Sequence, residues 1–379
     1  MNILYDLTAV QPRGETRYHG GGEYGKAVLK ALFYAGLCDR IYCIYFADRK
    51  LDDWIEKLFS HEKITAIPIV DFDDISAICE REKIEVFYTA LPIAYKKRPV
   101  SSKVEMKGTI HGLRYIECPQ DEYAVKYYRG REKAVRYLKN LCYPLVRRKH
   151  KRQMKNVLTM LDSCICVSEH TKYALMVNFP AFRKNIKVLY TPQKEAPSVT
   201  AEGTCEVNAP YLLLISANRW MKNAYRAIYA IDELYQAGFL QGCKVKVVGS
   251  LPEYALGAMK HRDRFLFLDY VSASELEVLY RDSLLFIYPS LNEGFGMPPV
   301  EAMKYGVTCV ISAICSLPEI YGDAVYYFNP KDMTEMKTRI LYAYENQLDK
   351  DMVKKKEQEI KCRQEQDLLK ICEFITCRE

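Results

Sequence analysis

The sequence predicts an α/β protein built as two Rossmann-like, doubly wound domains, and three observations lead there. Short apolar runs alternate with amphipathic segments through most of the chain, the pattern of parallel sheets covered by helices. The alternation breaks near the middle at KEAPSVTAEGTCEVNAP, a polar stretch with two prolines and no periodicity. The 379 residues are too many for one hydrophobic core, and 49% hydrophobic with 27% charged is ordinary globular composition.

In the first half NILYDL, RIYCIYF, ITAIPIV, IEVFYTA, EMKGTIH and SCICVS read as strands. YGKAVLKALFYAG and DDISAICEREK read as helices between them, and EHTKYALMVNF as the helix after SCICVS. PYLLLISA opens a second series, continued by KVKVVGS, RFLFLDYV, SLLFIYPS, VTCVISAI and AVYYFNP. NAYRAIYAIDELYQAG and ASELEVLYRD are helices within it. The expected division is a first domain over 1–195, a linker over 196–209, a second domain over 210–350, and a helical segment over 351–379 that packs back on the first domain. Ligands of such sheets bind beyond the carboxyl ends of the strands, so the expected site is a central cleft that the two domains face.

The first residues, MNILYDLTAV, contain Asp6 and lack a basic run before an apolar core, which reads as a buried strand rather than a signal peptide. No stretch reaches the roughly 18 uncharged apolar residues needed to span a bilayer. The fourteen cysteines have no repeated C-x-x-C spacing, and Cys164, Cys166 and Cys309 lie in apolar runs as small core residues of a reducing compartment. A cytoplasmic protein is expected. Its net charge of +7 is uneven: twelve Lys or Arg and one acid, Glu132, lie between Lys126 and Lys155. Tyr127, Tyr128, Tyr137, Leu138, Leu141 and Tyr143 interleave with them. Segment 126–155 is therefore either a solvated basic helix pair or a surface for anionic lipid on the inner face of the plasma membrane. No recognition motif supports nucleic acid as a partner.

The most informative segment is YPSLNEGFGMPPVEAMKYGVTCVISAICSLPEIYGDAVYYFNP. A strand runs into Asn292–Glu293–Gly294–Phe295–Gly296, and Pro298 and Pro299 then open a helix at Val300–Glu301. Glycines let the backbone approach a ligand, and a helix start turns amides and a positive dipole end toward it, which suits a diphosphate. Glu293 and Glu301, eight residues apart, can address two ends of one ligand, and ionised carboxylates accept from sugar hydroxyls. The plain structural alternative is a turn followed by a favourable first-turn acid.

This segment resembles the retaining GT-B glycosyltransferases of family 4, whose pattern of two glutamates separated by seven residues is matched by EGFGMPPVE. SANRWMKNAYRAI resembles the family's loop after the first strand of its nucleotide-binding domain, so Arg219 and Lys222 would clamp the donor diphosphate. FLDYVSASELEVLYRDS is similar to the segment near the nucleotide base, which includes Tyr270. HGGGEYGKAVLKAL resembles the glycine loop that approaches the donor, with Gly21 and Gly22 as contacts, and TIHGLRYIECP the strand-end histidine, His111. The family often has Asp after that histidine, where this chain has Gly112. VSEHTKYAL is similar to a further strand-end segment.

The resemblance implies GT-B architecture and a hexosyltransferase that moves a sugar from a nucleoside diphosphate sugar to an acceptor hydroxyl with retention. The acceptor would be a saccharide or lipid-linked saccharide of surface polysaccharide biosynthesis. Glu301 would hold the ribose, Glu293 the sugar ring and His111 its reacting edge. Gly294, Phe295, Gly296 and Met297 would line the donor. No cofactor is expected. Asp71–Phe72–Asp73 spells a metal-binding triplet, but its place before DISAICEREK suits a capped helix start, and Arg219 and Lys222 could neutralise a diphosphate without metal. The alternatives are a sugar-nucleotide epimerase on the same scaffold and a non-catalytic scaffold protein.

Overall fold

A computed structural model of the chain describes residues 1–12, 20–37, 39–182, 184–193, 209–249 and 251–377. The expected linker, 196–209, lies outside the described residues except for its last position.

The first sheet has seven parallel strands: β1 (Asn2–Asp6), β2 (Arg40–Phe46), β3 (Ile64–Ile69), β4 (Val86–Thr89), β5 (Glu105–Ile110), β6 (Ser163–Cys166) and β7 (Asn185–Val188). Their order is β3-β2-β1-β4-β5-β6-β7. The second sheet has six, β8 (Tyr211–Leu214), β9 (Lys244–Val248), β10 (Phe265–Leu268), β11 (Leu285–Tyr288), β12 (Thr308–Ser312) and β13 (Tyr326–Phe328), in the order β10-β9-β8-β11-β12-β13. Both orders are doubly wound: the winding reverses between β1 and β4, and again between β8 and β11. Inner strands are buried on both faces, which is why they read as unbroken apolar runs. The strand at β7 gives no such run. It is a half-exposed edge strand of four residues, NIKV, and sequence reading passed over it.

The described chain falls into two compact units, one of residues 1–113, 148–195 and 362–379, the other of 114–147 and 196–361. One segment, 114–147, therefore groups differently from the sequence-based division. Residues 114–147 belong with the second unit because buried Arg226 pairs with Asp121 (2.9 Å) and Glu122 (3.1 Å), while the Tyr225 amide donates to the Tyr127 hydroxyl (2.9 Å). The long helix Lys350–Thr376 is shared. Its residues from 362 onward join the first unit, where Lys107 donates to the Phe374 carbonyl (2.7 Å) and the Tyr190 amide to Asp367 (3.0 Å).

The helix at DDISAICEREK begins as a 3-10 turn over Phe72–Asp74, with Asp71 accepting from the Asp73 amide (2.6 Å) and Asp73 paired with Lys97 (2.8 Å). Cys164, Cys166 and Cys309 are buried thiols. Among the described residues no helix is long and apolar enough to cross a membrane.

Candidate active site

In the second unit the loops after β8 and β11 meet at the carboxyl edge of the sheet, at its switch point. The Leu291 amide donates to the Met221 carbonyl (2.8 Å), and the Ser290 hydroxyl reaches the same oxygen (3.3 Å). This zip brings Lys222 to Glu293 at 2.6 Å. The Tyr288 hydroxyl donates to Glu293 at 2.7 Å, and Ser290 donates to it as well. All three donors converge on Oε1, and among the described residues Oε2 receives no hydrogen bond. Burial opposes the charge on Glu293, but the Lys222 and Arg114 charges and the hydrogen bonds of Lys222 and Ser290 hold its carboxyl below the ordinary value. Burial also pulls Lys222 below its ordinary value, against the opposing charge of Glu293.

The backbone around this pair is strained in a recognisable way. Ser216, Asn223 and Cys315 adopt left-handed conformations at φ 54°, 57° and 49°. Asn223 suits that region and is held by Pro330 (2.8 Å) and Arg226 (2.8 Å). Gly296 has φ 90°, and a Cβ there would lie 2.5 Å from Leu317 Cδ2. Conformation and space therefore both require glycine at that position. Ser316 donates to the carbonyls of Glu293 (3.2 Å) and Phe295 (3.3 Å), and Tyr321 to that of Gly296, so the glycine loop is tied from the β12 side.

The helix that follows is Met297–Met303, three residues earlier than sequence indicated, with both prolines in its first turn. Glu301 consequently stands beyond the first turn, and the reading of it as a dipole-satisfying acid is set aside. Its Oε2 accepts from the Tyr280 hydroxyl at 3.0 Å. Arg219 is exposed and has no ion-pair partner among the described residues; its charge acts on Lys222. Tyr270, just after β10, is 70% exposed.

Gly21, Gly22 and His111 belong to the first unit. The glycines form the first turn of the helix Gly20–Ala35 rather than a loop. At Gly21 a Cβ would come 2.6 Å from Leu91 Cδ2, so a larger residue there would displace that side chain. His111 follows β5, hydrogen-bonds through Nε2 to the Ala90 carbonyl (2.9 Å), and meets the Tyr24 ring edge-on at 4.8 Å.

Sequence reading missed Tyr288, Ser290, Tyr280 and Arg114. Tyr288 and Ser290 flank the motif in YPS, yet a tyrosine at a strand end reads as core packing. Arg114 lies far upstream, in the short helix Arg114–Glu117, which Glu117 fastens to the motif by accepting from Asn292 (3.0 Å). Nothing local announces that contact.

Residues 202–360 match the family Glycosyl transferases group 1. A stretch of 80 residues is 41% identical to O-antigen chain mannosyltransferase B of Escherichia coli and covers 21% of each chain, so the match spans about a fifth of that relative's length. Over nearly the whole chain the fold is that of sucrose-phosphate synthase from Thermosynechococcus elongatus (TM-score 0.69, 15% identity, 98% of each chain). It is also that of Anabaena Alr3699/HepE, solved in complex with UDP and glucose (TM-score 0.63, 16% identity, 99% of this chain and 98% of that one). The protein thus has the α/β fold of GT-B glycosyltransferases. The matched residues 202–360 contain the Lys222–Glu293 pair and Glu301.

Proposed function

We propose that the chain transfers a glycosyl group from a nucleoside diphosphate sugar to a hydroxyl of a saccharide or lipid-linked saccharide in surface polysaccharide biosynthesis, with retention and without a bound metal. The observation that carries this reading is the Lys222–Glu293 pair at the β8/β11 switch point, one strand-to-helix loop away from Glu301. Ligands of doubly wound sheets bind at that edge.

The difficult step is departure of a diphosphate while positive charge grows on the sugar. Arg219, exposed and without an ion-pair partner among the described residues, and Lys222 supply cations to the leaving group, and that help counts most in the transition state. Glu293 presents its unengaged Oε2 to the sugar hydroxyls, and Glu301 addresses the ribose. The crystal complex of Alr3699/HepE with UDP and glucose supports a nucleotide-sugar ligand for this fold. The 41% likeness over 80 residues to an O-antigen chain mannosyltransferase makes a mannosyl donor the first to test. For the acceptor side, the helix Gly130–Leu141 has no buried residue and exposes Val135, Tyr137, Leu138 and Leu141 among Arg131, Lys133 and Lys139. That composition favours an anionic lipid surface.

Calorimetric titration with UDP and GDP in the presence of a chelator tests the proposal. Binding of one nucleotide that disappears in Glu301→Ala is the expected result. Binding of neither until a divalent metal is restored would overturn the metal-independent donor site.

A further inference from the structure

Each of the two site carboxylates is held by a buried tyrosine, and the two tyrosines belong to one aromatic row. Tyr288, the last residue of β11, donates to Glu293 Oε1 at 2.7 Å. Tyr280, in the helix Ala273–Arg281, donates to Glu301 Oε2 at 3.0 Å. Phe286 stands between them, edge-on to Tyr280 (5.3 Å, 79°) and near parallel to Tyr288 (5.9 Å, 27°). Phe286 and Tyr288 are two residues apart on one strand and share a face of the sheet. All three rings are buried, so both hydroxyls are fixed by a strand and a helix rather than by loops.

An ionised carboxylate only accepts, so each hydroxyl must be the donor and thereby sets the direction of one oxygen. Burial, reinforced by the neighbouring carboxylate charges, pushes both phenols well above their ordinary value, and they remain donors at any working pH. For Glu293 the consequence is specific. Lys222 and Ser290 already engage Oε1 and keep the group charged, so the hydroxyl of Tyr288, which also accepts from Lys222 at 2.6 Å, fixes the direction of both partners of the pair.

We infer that Tyr280 and Tyr288 are positioning residues that divide the donor between them, Tyr288 aiming the carboxylate that meets the glycosyl group and Tyr280 the one that meets the ribose. This rests on the proposed roles of Glu293 and Glu301. The row Tyr280–Phe286–Tyr288 would keep the two carboxylates at a constant separation, which a ligand of defined length requires.

Tyr280→Phe and Tyr288→Phe keep the rings and remove one oxygen each. The unaltered protein and both variants are titrated with UDP, GDP and their 2′,3′-dideoxy counterparts, and turnover is followed with UDP-glucose and GDP-mannose. Tyr280→Phe is expected to weaken the nucleotide that binds roughly tenfold, the loss of one hydrogen bond to a charged group, while the dideoxy counterpart is unaffected. Its KM rises and its kcat is kept. Tyr288→Phe is expected to leave nucleotide affinity unchanged and to lower kcat by a roughly similar factor. Unaltered behaviour of either variant overturns its half of the inference. Equal losses toward ribose and dideoxy nucleotides in both variants, the mark of general loosening, overturn the whole. Glu301→Ala, titrated alongside, separates the failures. If it loses affinity while Tyr280→Phe does not, only the positioning role falls; if it too binds normally, the ribose role of Glu301 falls first.

Discussion

The two sheets wind alike, yet a buried carboxylate at one switch point lives under conditions opposite to those at the other. In the first sheet Asp6, at the end of β1, is fully buried and accepts from the Thr8 amide (2.9 Å), the Thr8 hydroxyl (2.6 Å) and the Thr89 hydroxyl (2.7 Å). No cation pairs with it among the described residues. Burial outweighs these hydrogen bonds and raises its carboxyl above the ordinary value. In the second sheet Glu293 is similarly buried, but Lys222 and Arg114 reverse the direction. Topology places a carboxylate at the edge in both; a cation decides in which direction its pKa moves there. Asp6 staples β1 to β4 through Thr89, whereas Glu293 is paired with Lys222 across two loops.

The largest way to break this contrast is Lys222→Met. A buried carboxylate left without its cation should cost the second unit about 3–5 kcal/mol, read from its urea transition. Adding Glu293→Gln should return part of that loss, and a double mutant no more stable than Lys222→Met would argue against a coupled pair. Next is Gly296→Ala, where positive φ and the Leu317 clash should cost about 1–3 kcal/mol by the same measurement.

Asp6→Asn sharpens the contrast at smaller cost, about 1–2 kcal/mol, because the amide keeps some of the acceptor geometry. Its pH signature should oppose that of Glu293→Gln. Glu293 has a depressed folded pKa, so its contribution to stability is present above the unfolded value and is lost as pH falls through the folded one. Asp6 has a raised folded pKa, so its contribution is largest below the unfolded value and is lost as pH rises through the folded one. Stability curves from pH 3 to 7 on the two variants should deviate from the unaltered protein in opposite directions; parallel deviations would remove the distinction. The smallest effect is expected at Gly20→Ala, within about 0.5 kcal/mol, since a Cβ there meets nothing within 4 Å.

Much of this was legible in the residues. Inner strands such as YLLL and LFIY are continuous apolar runs because both their faces are covered, and a buried run leaves a local signature. The edge strand NIKV is half exposed and leaves none. The glutamate pair and its glycine loop are contiguous and could be read, although the position of Glu301 in its helix could not, because the two prolines lie inside the first turn rather than before it. The basic segment could be read as helical, but the attachment of residues 114–147 to the second unit depends on Arg226 burying its charge against Asp121, 105 residues away.

By itself the sequence determined the alternating α/β elements, the carboxylate spacing of Glu293 and Glu301, and the cations Arg219 and Lys222 beside a helix start. All of these are set by neighbours within a few residues, where backbone geometry and side-chain period act directly. Only the tertiary structure decided that Lys222 pairs with Glu293, 71 residues distant, that Tyr280 and Tyr288 hold one oxygen of each glutamate, and that the pKa values of Asp6 and Glu293 move in opposite directions. The reason is physical: a buried charge takes its pKa from whichever groups packing brings within a few ångströms, and no local pattern encodes which those will be.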